Sequence, residues 1–267
     1  MAYMTLNEYI VNPMGKSNAI LSAMTRESIK AQYDQKFHNV LLRENGKIDY
    51  YLYTDSKKNE YYIHVKVPSE SCRDFYYDVV FKFFADETIK DAGRNLSKYY
   101  VQFFSNDPAF VFTYANAFIK NGLFCREVIS KMSKEAVEKK AVEKNPQEVN
   151  GYAKILYFGI TFIKERGLLN TLKFAGARPY NQREMLSFID HADQKIADRQ
   201  EEGKKQEVNK KKIMLDAGTA KKLNRYNLSD QAKNRIVTTT KKTVGVKKTK
   251  ASNSSKNIKS TKTIKKK

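Results

Sequence analysis

The chain has 267 residues, 41% of them hydrophobic and 12% aromatic, all Tyr or Phe with no Trp, which is enough for one or two domains with a real core. Its net charge of +21 calls for a polyanionic partner, a nucleic acid or an anionic surface. Cys72 and Cys125 form no metal-type spacing and demand no disulfide. No basic segment runs into a long apolar stretch at the start, and none of the apolar runs is long enough to span a bilayer, so neither a secretory signal nor a membrane partner is expected.

In chain order, residues 1–17 read as an N-terminal arm with one turn of helix, interrupted by Asn12-Pro13 and Gly15. A helix from Ser17 or Thr25 to about Arg43 carries an apolar stripe on Ile29, Tyr33, Phe37, Val40 and Leu41, and Asn45-Gly46 ends it. Asp49 to Thr54 reads as a strand, with DSKKNE as the turn after it. Tyr61, Ile63, Val65 and Val67 then alternate with Tyr62, His64 and Lys66 as far as Pro68. A longer alternation sets Phe75, Tyr77, Val79, Phe81 and Phe83 against Tyr76, Asp78 and Lys82. Ala85 to Ser97 is the connection to the most apolar stretch, Tyr99 to Gly122, which reads as strand, turn and helix. Asp107 is placed to cap that helix, Pro108 suits its first position, and Asn121-Gly122 supplies a left-handed stop.

The polar run KEAVEKKAVEKN reads as an exposed helix. Asn150 is expected to cap a helix whose apolar face is Tyr152, Ile155, Leu156, Gly159, Phe162 and Ile163, ending at Gly167. Asn181 is expected to cap the next, with Met185, Ile189 and Ile196 inward. The fold boundary falls between about Asp198 and Ala217. The predicted organisation is therefore an arm over 1–17, a globular domain over 18–210 and a flexible lysine-rich tail over 211–267. The fold class is α+β, a small antiparallel sheet of about four strands flanked by helices, with a disordered basic C-terminal tail.

Catalytic signatures are missing. Gly15-Lys16-Ser17 matches the end of a phosphate-binding loop, but the Gly required five residues earlier is Ile10 and no strand precedes it. His38, His64 and His191 are isolated, and His64 is expected to be solvated on the polar face of its strand. Asp49 with His64-Val65-Lys66 lacks the carboxylate two residues before the lysine that two-metal hydrolysis needs. There is no Ser or Cys nucleophile motif. No catalytic residue, metal ligand or cofactor is assigned, and the chain is expected not to be an enzyme. Tyrosine doublets at 50–51, 61–62, 76–77 and 99–100 place a Tyr on both faces of each strand. They serve either as half-buried packing residues or as a platform that stacks bases.

The basic tail carries the functional reading. From Gln231 to Lys267 there are 13 Lys plus Arg and no acidic residue, leaving +8 for the first 230 residues. The expected nucleic-acid contacts are Lys241, Lys242, Lys247, Lys248, Lys250, Lys256, Lys259, Lys262, Lys265, Lys266 and Lys267, spaced by Thr, Ser, Val and Gly. Lysines so arranged neutralise phosphates and release counterions without reading bases.

Two segments, DFYYDVVFKF and FFSNDPAFVFTYANAFIKNG, resemble virion structural proteins of tailed bacteriophages over roughly Asp49 to Leu123. The resemblance implies a head, neck or capsid-lining component, located in the virion and, during assembly, in the host cytoplasm. Its partners would be other virion proteins, copies of itself and packaged DNA. The alternatives are a nucleic-acid-binding accessory protein of replication or packaging, and a nucleic-acid-modifying enzyme that uses the tail to hold substrate.

Overall fold

A computed structural model of the chain describes residues 3–11, 26–72, 74–89, 93–146, 148–205 and 207. The chain divides into two units, Met1–Glu202 and Gly203–Lys267. The second is described only at 203–205 and 207, so the eleven tail lysines lie outside the described residues.

The first unit is α+β. Its elements are α1 (Leu6–Val11), α2 (Arg26–Arg43), β1 (Tyr50–Asp55), β2 (Glu60–Pro68), β3 (Tyr76–Phe84), β4 (Tyr100–Ser105), α3 (Ala115–Lys120), α4 (Ala141–Lys144), α5 (Lys154–Glu165), β5 (Arg178–Pro179) and α6 (Gln182–Ser187). Residues 192–202 are helical as well. The sheet has five strands, one more than the sequence predicts, in the order β4-β3-β2-β1-β5. The first four pair antiparallel. β5 adds two residues parallel to β1 and has no periodicity by which it could be foreseen.

One face of the sheet is the apolar core. Ile63, Val65, Val79, Phe81, Phe83, Val101 and Phe103 lie there, all buried. α5 packs over it with Ile155, Phe158, Phe162 and Ile163. The helix passes closely because position 159 is glycine: a Cβ there would sit 2.7 Å from Phe81 Cζ and 3.3 Å from Val79 Cγ1. The turn after β4 forms as the sequence predicts. Asp107 Oδ2 accepts from Phe110 N at 3.1 Å, a π-type turn over Phe110–Tyr114 leads into α3, and Gly122 takes φ +76.

α1 is a docked element. A capping box closes it, Glu8 N donating to Thr5 Oγ1 and Thr5 N to Glu8 Oε2, and it buries Leu6 and Tyr9. The outer edge of β4 is paired twice. Val101 N donates to Met4 O at 3.0 Å on one side of Gln102, and on the other Phe103 N donates to Leu123 O at 2.7 Å while Cys125 N returns to Phe103 O at 2.9 Å. At the opposite edge β5 covers Tyr53 and Thr54, and Tyr180 N donates to Thr54 O at 2.8 Å.

Three local expectations change. Asn150 does not cap α5; the cap position is Ala153, and Asn150 Oδ1 instead accepts from Asn121 Nδ2 at 3.1 Å. The polar run after residue 133 buries Ala136, Val137 and Ala141, so its repeated Ala-Val pairs mark a packed stripe. The helix capped by Asn181, whose Oδ1 accepts from Glu184 N, stops at Ser187. Met185 and Ile189 are buried there, and helix resumes at 192.

Candidate functional site

The second face of the sheet holds the charged chemistry. Along β2 it presents Glu60, Tyr62, His64 and Lys66, and along β3 Asp78, Val80, Lys82 and Phe84. Segments around 125–127 and 178–190 cover it, so His64 and Asp78 have no solvent exposure and Lys82 has 8%. The expectation of a solvated His64 is overturned: the face that looked polar is closed by chain arriving from far along the sequence.

Asp78 is the hub. Its Oδ1 accepts from His64 Nε2 at 2.8 Å and from Lys66 Nζ at 2.6 Å. Its Oδ2 accepts from Asn106 Nδ2 at 2.7 Å and from Asp190 N at 3.0 Å. A carboxylate only accepts, so the His64 proton sits on Nε2. Asn106 locks the strand further, its Oδ1 accepting from Asp78 N at 2.7 Å, and its amide also reaches Asp190 O. Lys66 Nζ donates to Phe188 O at 2.8 Å. Burial raises the carboxyl pKa, but the His64 hydrogen bond and the Lys66 ammonium outweigh it and hold Asp78 at about 2, against an ordinary 3.8. With both oxygens doubly occupied and so low a pKa, this carboxylate takes up no proton near neutrality. It anchors the chain around 188–190 to the central strands.

Lys82, four residues on, is the complementary anchor. Its Nζ lies 2.8 Å from Glu60 Oε1 and 2.5 Å from Glu127 Oε1, and above the rings of Tyr62 and Phe84. Burial disfavours its charge, but the two carboxylates hold the ammonium above the usual lysine range. Tyr62 donates to Glu60 Oε2 at 2.7 Å and stacks on Tyr180 at 4.1 Å between centroids. Cys125 Sγ donates to Glu127 Oε2 at 3.4 Å. Burial and that neighbouring carboxylate push the thiol well up. The amine therefore stays protonated and the thiol stays a thiol, the forms least able to act as nucleophiles.

The tyrosine doublets divide between the two faces of the sheet, one Tyr of each pair to either side. Of their members Tyr62, Tyr77 and Tyr99 are buried, whereas Tyr50 is 41% exposed. Tyr51 stacks on Phe188, Tyr61 donates to Asn59 Oδ1, and Tyr76 donates to Glu44 Oε2. Tyr50 alone of the eight is exposed; the other seven are buried or half-buried.

Between α1, α2 and α5 lies a groove of about 290 Å³, floored by Tyr9, Ile10, Tyr152, Tyr157 and Ile160 and rimmed by Lys30, Asp34, Lys164 and Glu165. Several of its polar groups bond within the protein: Tyr157 Oη donates to Asp34, Lys30 pairs with Asp34, and Tyr152 Oη donates to Ile10 O.

Of the sequence-singled residues, His64, Lys66 and Asp78 come together, whereas Asp49 does not join them and His38 is exposed on α2. Among the described residues no cluster of three or more His, Cys, Asp or Glu is placed to hold a metal ion. Nor is any helix there long and apolar enough to cross a membrane. The burial of Asp78 and Lys82 had one signal in the sequence: the face that carries them also carries Val80 and Phe84, so β3 reads apolar on both sides. No family model, no curated protein and no solved structure matches the chain.

Proposed function

We propose that the protein is a non-enzymatic structural component of a bacteriophage virion, whose folded unit assembles with other virion proteins and whose basic unit contacts packaged DNA without sequence preference. The observation that carries the DNA contact is the partition of charge at the boundary between the units. Gly203–Lys267 holds 21 Lys plus Arg against three acidic residues, +18, while Met1–Glu202 holds 29 against 26, only +3. A polyanion is attracted to the second unit far more than to the first.

The non-catalytic part is supported by the state of the reactive-type groups on the covered sheet face. Asp78 is a saturated acceptor, Lys82 is clamped between two carboxylates, and Cys125 is a buried thiol. The virion location and the assembly partners follow from the resemblance of the strand and turn segments.

The test is duplex DNA binding against salt for the full chain and for a full-length variant with Lys241, Lys242, Lys247, Lys248 and Lys250 changed to Gln. Each lost phosphate contact lowers the slope of log K against log salt by about 0.9. The five changes are expected to flatten the slope by about 4 to 5 if all five lysines engage. Equal slopes for the two proteins would place the contact elsewhere.

A further inference from the structure

We infer that the folded unit carries a phosphate-backbone contact of its own, a cationic surface where three turns meet at one end of the sheet. This deepens, and rests on, the reading of the protein as one that touches nucleic acid.

The turns are the β1–β2 hairpin over 55–59, the segment 93–98 that leads into β4, and the segment 170–175 after α5. The last two pair directly. Asn95 and Asn170 form an antiparallel bridge, Leu96 N donates to Leu169 O at 2.8 Å, and Thr171 N donates to Arg94 O at 3.0 Å. Each segment then makes the same cap: Asn95 Oδ1 accepts from Ser97 N at 3.1 Å, and Asn170 Oδ1 from Leu172 N at 3.0 Å. Each turn closes on a lysine three residues on, Lys98 N donating to Asn95 O at 3.1 Å and Lys173 N to Asn170 O at 2.9 Å. The hairpin joins them through Tyr61, whose ring meets those of Tyr99 at 5.9 Å and Phe174 at 5.1 Å and whose hydroxyl donates to Asn59 Oδ1.

Five cations are exposed on these turns: Lys57, Lys58, Arg94, Lys98 and Lys173. Lys58 lies 3.9 Å from Asp55, and the other four form no ion pair among the described residues. Asp55 is the only acidic residue of the three segments, so they hold +4. The first unit as a whole is +3, which leaves −1 for everything else in it. The positive charge of the folded unit is therefore concentrated at this end of the sheet.

Spacing and chemistry fit a phosphate backbone. A turn closed in this way spans less than about 7 Å and the bridge about 5 Å, so the Cα atoms of Lys98 and Lys173 stand within about 20 Å of each other. About six phosphates of one duplex strand lie along that length, at about 3.4 Å each. Beside the cations stand Ser56, Asn59, Asn95 and Asn170, all exposed, neutral side chains of the kinds that also bond phosphate oxygens. A protein partner would need an aromatic or aliphatic anchor. Leu172, 55% exposed, is the only large apolar side chain these turns present.

The experiment follows the binding of one fluorescent duplex of about 20 base pairs between about 50 and 200 mM salt, for the full chain and two full-length variants. The first variant is Lys57→Gln, Arg94→Gln, Lys98→Gln and Lys173→Gln. The second is Lys30→Gln, Lys120→Gln, Lys134→Gln and Lys154→Gln, four lysines that each pair with a carboxylate elsewhere on the same unit. Both lose the same net charge. At about 0.9 per contact the first variant should lose about 3.6 in the slope of log K against log salt, so that across this range wild-type affinity falls about 150-fold further than its own. The second should stay within about 1 of the wild-type slope. A slope unchanged in the first variant, or lowered alike in both, would overturn the inference. In either case a slope that flattens when Lys241, Lys242, Lys247, Lys248 and Lys250 are changed leaves the basic unit as the contact. Unchanged slopes together with salt-sensitive self-association, followed by sedimentation and lost only in the first variant, would give the surface to an acidic face of a second copy and overturn the inference. A full chain that binds no duplex would remove the nucleic-acid reading, and the inference with it.

Discussion

Replacing Asp78 with Asn keeps the shape of the side chain and removes its charge. The carboxyl is held at about 2 rather than 3.8, which is worth about 2.5 kcal/mol to the folded state. The sign follows from the depressed pKa. This contribution is complete above about pH 4, declines as pH falls, and is gone below about pH 2. The amide also turns a donor toward Asn106 Nδ2 or the Asp190 N–H, or else toward His64 and Lys66, stranding buried partners. Breaking a buried ion pair from one side costs about 3–5 kcal/mol, so the variant should lose about 3 kcal/mol or slightly more at neutral pH. For a unit of this size that is roughly 6–12 °C in melting temperature. The assay is urea unfolding followed by far-UV circular dichroism, since the chain has no Trp, repeated from neutral pH down to about pH 2.5. The gap between wild type and variant should narrow through the window below pH 4, because the unfolded wild-type chain then takes up a proton on this carboxyl that the folded one, held at about 2, resists. A gap that stays constant across this range would refute the argument, since the charge of Asp78 would then contribute nothing to the lock.

Lys82→Met should cost about 3 kcal/mol at neutral pH, because it leaves Glu60 and Glu127 facing each other without the cation between them. A change in the urea midpoint worth less than about 1 kcal/mol would mean that the carboxylates find other partners. Gly159→Ala gains about 1 kcal/mol of helix propensity but drives a methyl to 2.7 Å from Phe81 Cζ, in a core where overpacking costs about 1–3 kcal/mol. A net loss of about 1 kcal/mol by the same assay is expected, and a stabilised variant would show that the Phe81 ring has room to turn.

The strands and the turn after β4 were legible because each carries a local signal: period-two alternation in β2 and β3, and Asp107, Pro108 and Gly122 around one helix. The chemistry of the second sheet face was not. His64 and Lys66 alternate with apolar residues in the way of a solvent face, and what covers His64 and partly covers Lys66 is the segment around Asp190, 112 residues beyond Asp78. Local pattern cannot report a contact of that separation. β5 escaped for a related reason: two residues, Arg178 and Pro179, carry no alternation, and tertiary position alone makes them a strand. The break between α6 and the helix from 192 was hidden too, because Met185 and Ile189 remain inward across it and keep the helical spacing.

The double pairing along β4 bears on crowding. A sheet whose border strand offers unsatisfied amides is a template for further strands, and many copies packed together raise that hazard steeply. Here Met4 and Leu123–Cys125 occupy the β4 border from two directions. What β5 leaves of β1, Tyr50–Leu52 and Asp55, holds no run as long as an ordinary strand. Copies brought to high local concentration have little backbone to share. They would meet through side chains, where charge and shape can discriminate among neighbours, so the molecule can be concentrated without growing a common sheet.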